Sequence, residues 1–251
     1  PAGRALRLLA EQDRTFVRWL ASNHIDLESL PEADEALRAR VRKVMPIVLL
    51  RLELQRPDSN ALRSRRNIAL YSGESAFLAI TEANPRWLEH ISDRMLEDLS
   101  GPLEPASQSR VFNDAAREFT SYLHILPVRG THLTPDDAPR RLLDRIARFF
   151  RDHHTRGEFT GDPIGSFVVD ARVAPAVQHS LQALVNRGAL IEVPNRELPS
   201  VGPLLGRRYR IAYLLAPLYH LPLRLDKAVN LSTVLERVRG RDQLTFNDLE
   251  T

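Results

Sequence analysis

Glu82-Ala83-Asn84-Pro85-Arg86-Trp87-Leu88 writes the start of a helix into the sequence and puts an arginine in its first turn. Asn84 is a favoured N-cap residue. Pro85 suits the first helical position because its absent N–H would have no partner there. Leu88, Ile91, Met95 and Leu99 then recur at steps of three and four, which gives the helix one apolar face. Arg86 is thereby fixed at a helix start, where free N–H groups and the positive end of the dipole favour an anion. The plain alternative is a capped surface helix with an exposed arginine.

The residues before this stretch read as helices. Residues 4–21 carry Leu6, Leu9, Phe16, Val17 and Leu20 among charges, and 33–45 place Leu37, Val41 and Val44 on one face. Pro46 predicts a kink or a restart. Residues 47–54 form an apolar, buried helical segment, and 55–60 with Pro57 read as a loop. Ser72 is the predicted cap of a short helix with Phe77, Leu78 and Ile80 as core candidates. Gly101, Pro102 and Pro105 form a joint, 107–126 a connecting helix, and Pro127, Gly130 and Pro135 punctuate a linker. The predicted division is 1–100, 101–136 and 137–251.

The second half changes character. Residues 138–154 predict a helix with Leu142, Leu143, Ile146, Phe149 and Phe150 inward and Arg141, Arg145, Arg148 and Asp152 outward. Residues 166–169 suit a short strand. Pro175 opens another helix, with Val177, Leu181, Leu184 and Val185 inward; Gly188 stops it. Residues 189–193 read as a strand, 194–206 as a loop, and 207–215 as a second strand with Tyr209, Ile211 and Tyr213 opposite Arg208 and Arg210.

Helix, short strand, helix and a hairpin with a loose tip is the order of a winged helix-turn-helix. The predicted fold class is therefore mainly α: a helical bundle, then a winged helix with a small β-hairpin. The helix at 175–187 would enter the major groove and present Gln178, His179, Gln182 and Arg187 to base edges. Arg196, Arg207, Arg208 and Arg210, on and beside the wing, would neutralise phosphates. No separate turn helix is visible between Asp170 and Pro175.

Charge agrees in a modest way. The net charge of +3 is uneven: residues 1–135 hold 18 basic and 18 acidic side chains, and 136–251 hold 17 and 14. The whole excess lies in the C-terminal part, which points to a polyanion there. Only Lys43 and Lys227 are lysines, so arginine usage is a bias of the whole chain. With no cysteine, disulfides and Cys-based zinc sites are excluded, and a cytoplasmic setting is the expectation. No apolar run is long enough to span a bilayer, so no membrane partner is expected.

Taken together, Arg66-Asn67-Ile68-Ala69-Leu70-Tyr71-Ser72-Gly73-Glu74-Ser75-Ala76-Phe77, followed by Asn84-Pro85-Arg86-Trp87-Leu88, resembles the lid segment of bacterial origin-recognition-complex-like AAA+ ATPases. A helical lid followed by a winged helix is similar to the C-terminal half of that group. The resemblance implies that Arg86, supported by Asn84 and Pro85, is the second sensor arginine and reads a nucleotide phosphate. One departure matters: the chain holds no Gly-rich loop ending in Gly-Lys-Ser/Thr, and no apolar strand ending in paired acids. No catalytic residue is therefore assigned. ATP and Mg are expected only with a nucleotide-binding core upstream of Pro1, and none is expected on this chain alone.

Other chemistry is set aside. His153-His154 sit at a helix end, where cationic imidazoles suit the dipole, and no matched ligand spacing makes them a metal site. Glu74 and Asp136-Asp137 read as first-turn acids. Trp19 and Trp87 read as core or joint residues, and the arginine runs at 38–42 and 63–66 as solvated faces. The expected partners are double-stranded DNA and the upstream AAA+ core, with a homo-oligomer or partner protein left open. Two alternatives stand beside this: a stand-alone winged-helix DNA-binding regulator, and a protein–protein interaction module.

Overall fold

The computed structural model describes residues 2–29, 34–56, 59–63, 68–97, 104–123, 138–194 and 203–238. It is mainly helical with a small mixed sheet. The helices are α1 (Ala2–Gln12), α2 (Arg14–Ser22), α3 (Glu35–Leu54), α4 (Glu74–Thr81), α5 (Pro85–Glu97) and α6 (Pro105–Leu123). There follow α7 (Pro139–Thr155), α8 (Pro175–Asn186), α9 (Ala216–Tyr219) and α10 (231–238). No helix among the described residues is long and apolar enough to cross a membrane.

The single helix predicted over 4–21 is two. Asp13 breaks it by acting as the N-cap of α2: its Oδ1 accepts the backbone N–H of Thr15 at 2.8 Å and of Phe16 at 3.2 Å. Pro46, by contrast, does not end α3. A proline leaves the carbonyl four residues earlier without its helical donor. Here Arg224 Nη1 reaches the orphaned Arg42 carbonyl at 3.4 Å and the neighbouring Lys43 carbonyl at 3.0 Å. Residues 55–60, read as a loop, hold β1 (Gln55–Arg56), which pairs with β2 (Ser59–Leu62). Gly73 (φ 85°), not Ser72, is the residue before α4, and its N–H donates to the Gln108 side chain.

Two apolar clusters hold the chain together. The smaller joins Leu6, Leu9, Phe16 and Leu20 to Val41, Val44 and Val48, with Phe159 beneath them. The larger begins at Leu50 and Leu54 and runs through Tyr71, Ile80, Ile91, Phe112, Phe150 and Phe167 to Val238. It draws side chains from both sides of residues 101–136. Helix α3 belongs to both clusters, and buried Arg51 stands where they meet.

The four-stranded sheet has the order β4–β5–β3–β6, from β3 (Ile164–Val168), β4 (Leu190–Val193), β5 (Arg208–Ile211) and β6 (Lys227–Asn230). β4 and β5 form the predicted antiparallel hairpin, with Ile191 opposite Arg210, and β5 pairs antiparallel with β3, Phe167 opposite Tyr209. The second predicted strand is shorter than 207–215: Tyr213–Leu215 turn into a 3-10 helix. β6 joins β3 in parallel and was not predicted, because Lys-Ala-Val-Asn is too short to show a period. The α10 helix that follows covers α7. Arg145, predicted outward, is buried there and donates to the Leu235 carbonyl; Asp152, also predicted outward, is buried and pairs with Arg151 and Arg156.

Candidate functional site

The predicted helix start is built as expected. Asn84 Oδ1 accepts the Arg86 backbone N–H at 3.1 Å, and the Asn84 carbonyl accepts the Leu88 N–H at 3.0 Å. Such a cap contributes about 1 kcal/mol. Ile91 and Met95 anchor the apolar face in the larger core; Leu99 lies outside the described residues. Trp87 packs edge-on against Phe119 of α6, and His90 and Arg94 pair with Glu118. These contacts pin the helix along its length. Arg86 points to solvent and makes no side-chain contact of its own among the described residues.

What the sequence did not disclose lies just upstream. Glu82 (φ 50°) and Ala83 (φ 53°) both stand in the left-handed region. Each costs on the order of 1 kcal/mol for a residue that is not glycine. The Glu82 carboxylate pairs with Arg210 Nη2 at 2.5 Å, and the Arg210 guanidinium lies 3.9 Å from the centre of the Tyr213 ring. A cleft of about 300 Å³ opens beside this joint, lined by Asn84, Trp87, Phe119, Arg187, Ile191 and Leu214 among others. The helix start that carries Arg86 and the hairpin β4–β5 are therefore neighbours.

The second candidate surface is reduced. On α8, His179, Gln182 and Arg187 are exposed. Gln182 donates to Asn186 Oδ1 at 2.8 Å, along the helix surface. Gln178 is half-buried and donates one amide N–H back to the Val173 carbonyl at 2.9 Å. Arg187 sits at the end of α8, over the cleft rather than beside His179. Arg196 lies outside the described residues.

The hairpin arginines depart furthest from expectation. Arg207 is 4% exposed and pairs with Glu192 at 2.6 Å. Arg208 donates to Ser166 Oγ at 2.9 Å and to the Asp226 carbonyl at 2.5 Å. Arg210 is held by Glu82 and Tyr213. The alternation along β5 is as predicted, but the face opposite Tyr209 and Ile211 packs against residues 224–226 and the α4–α5 joint instead of water. All three guanidiniums spend donors inside the protein, which corrects the expectation that they stand free for phosphates.

The histidine pair is also corrected. Burial lowers the pKa of His153, and lowers that of His154 to about 3, with the neighbouring His153 adding to the second shift. Desolvation outweighs the helix end, so these imidazoles are neutral rather than cationic. Glu74 is an exposed first-turn carboxylate of α4, as read. Trp19 packs on Phe16 and Phe159.

A family model described as ORC-CDC6-like matches residues 2–231. Comparison with curated proteins gave no match, and comparison with solved structures gave none either. The match spans nearly the whole chain, so the chain belongs to the ORC-CDC6-like family and is an AAA+ ATPase-related protein.

Proposed function

We propose that this chain is the lid and DNA-binding portion of a bacterial origin-recognition-complex-like ATPase, with Arg86 sensing the nucleotide. The observation that carries the reading is the start of α5: a capped, packed helix end presenting an arginine with no partner among the described residues. A guanidinium with no internal partner among those residues, on a backbone fixed by the cap, is available to a phosphate oxygen, and the helix dipole adds to the attraction. In this reading 1–100 act as lid, 101–136 as connector and 137–251 as winged helix, whatever core they share. Hydrolysis needs a phosphate cradle and Mg, which a P-loop segment would supply. Within such an assembly, Arg86→Ala should lower ATP turnover while the chain stays folded. Unchanged turnover would remove the sensor role.

The winged-helix reading is supported by the order α7–β3–α8–β4–β5, with β3 and β5 adjacent. Its departure is the five-residue turn at 170–174 in place of a second helix. The DNA surface we propose is the exposed face of α8, His179 and Gln182, with Arg187 at its end and Arg196 beyond the described residues. Duplex affinity should fall steeply with salt and weaken in His179→Ala/Gln182→Ala.

The internal use of Arg207, Arg208 and Arg210 favours a second reading, an interaction module whose α8 face docks on protein. Salt-insensitive or undetectable duplex binding would select it.

A further inference from the structure

Two observations meet at the joint between α4 and α5. Glu82 and Ala83 stand side by side at positive φ, although neither is glycine. The turn is closed locally by the Glu82 N–H on the Leu78 and Ala79 carbonyls and by the Asn84 N–H on the Thr81 carbonyl, but neither side chain favours that conformation, so a tertiary contact on Glu82 adds to its stability. The contact present is the pair between Glu82 and Arg210, whose side chains are only 21% and 16% exposed. Arg210 is gripped on its other side by the Tyr213 ring. Shelter from water strengthens the pair, and the ring limits where the guanidinium can go.

We propose that the Glu82–Arg210 pair is a latch that sets the pose of Arg86 from the position of β5. Glu82 lies four residues before Arg86, and the only chain between them is the left-handed turn and the Asn84 cap. A rotation at 82–83 therefore re-aims residues 84–86, ahead of the stretch of α5 that Trp87, Ile91 and Met95 pin. Arg210 lies opposite Ile191 within the β4–β5 hairpin, so a load on the hairpin pulls on Glu82. The cleft lined by Asn84, Trp87, Ile191 and Leu214 leaves open space beside that turn. Glu82 and Arg210 thus act as positioning residues. The inference rests on the phosphate-sensing reading of Arg86 for its purpose, but not for its mechanics.

Hydrogen exchange on the intact chain tests the mechanics. Glu82→Gln and Arg210→Gln should each speed exchange of amides 84–90 by about ten-fold, a local opening that leaves α1–α3 unchanged. Because the two groups act as one, Glu82→Gln/Arg210→Gln should be no faster than the faster single variant. Unchanged exchange at 84–90 in both single variants would overturn the latch. So would strictly additive effects in the double variant, or a rise spread equally over the chain. Failure of the sensing reading shows up separately, as nucleotide binding that Arg86→Ala leaves unaltered.

Discussion

Arg51 is 1% exposed, and its charge is answered on every side. Its Nη1 meets Asp13 at 2.6 Å, Nε donates to the His154 carbonyl, Nη2 donates to the Glu158 carbonyl, and the guanidinium faces the Phe159 ring at 5.0 Å. Burial pushes the Asp13 carboxyl up, but hydrogen bonds from Thr15 and Arg51 outweigh it and hold it below the usual range. Removing one partner strands the other charge, so Arg51→Ala should cost roughly 3–5 kcal/mol, read as a fall in the urea midpoint. Nothing in the sequence marks Arg51 out from its neighbours in a chain so rich in arginine. Its role depends on the start of α2, α3 and the end of α7 meeting in space.

Two buried groups give the stability curve opposite slopes. His154, with its pKa at about 3, stays neutral when folded but takes a proton near 6.5 when unfolded. Its contribution is full above about 6.5 and is lost as pH falls below that. Burial raises Asp226 to about 6 despite Arg224 beside it. That favours the fold below about 4, and the benefit is lost as pH rises through 6. Between about pH 6 and 4.5 the two slopes offset. In Asp226→Asn the histidine slope should emerge, a loss of roughly 1.4 kcal/mol per pH unit on acidification. In His154→Leu stability should instead rise over the same window. Denaturant melts at pH 6.5 and 4.5 read both, and parallel behaviour of the two variants would count against this assignment.

At the scale of elements, periodicity and caps carried far. The start of α5, the apolar face of α7, the extent of α8 and the β4–β5 hairpin were legible because each is a local pattern. What escaped was set by partners distant in sequence. Pro46 passes through α3 with Arg224 donating to the carbonyl it orphans, and β6 pairs with the edge of β3 that β5 leaves open. The joint before α5 escaped because no glycine announces its left-handed residues. That joint carries its own prediction. Ala83→Gly removes a left-handed strain at no cost in contacts, and should raise stability by up to about 1 kcal/mol in urea unfolding.

Across the whole molecule, the larger core joins α5 and the hairpin through Ile91, Met95, Leu190, Tyr209 and Ile211. The face of the hairpin expected to be exposed proved less legible than the capped start of α5. Alternation showed which way Arg208 and Arg210 point, but not that protein waits there instead of water. The charge excess of residues 136–251 therefore overstates the free cations on that side. The ORC-CDC6-like match over residues 2–231 makes the chain AAA+ ATPase-related, and the role proposed for Arg86 is one such a relationship accommodates.

The most direct measurement is the ratio of ATP to ADP affinity in the ATPase assembly containing this chain, wild type against Arg86→Ala. A charge-assisted contact to the terminal phosphate is worth about 1.5–3 kcal/mol. The ratio should therefore fall by roughly 10- to 100-fold, with ADP affinity nearly unchanged. An unaltered ratio would contradict the account.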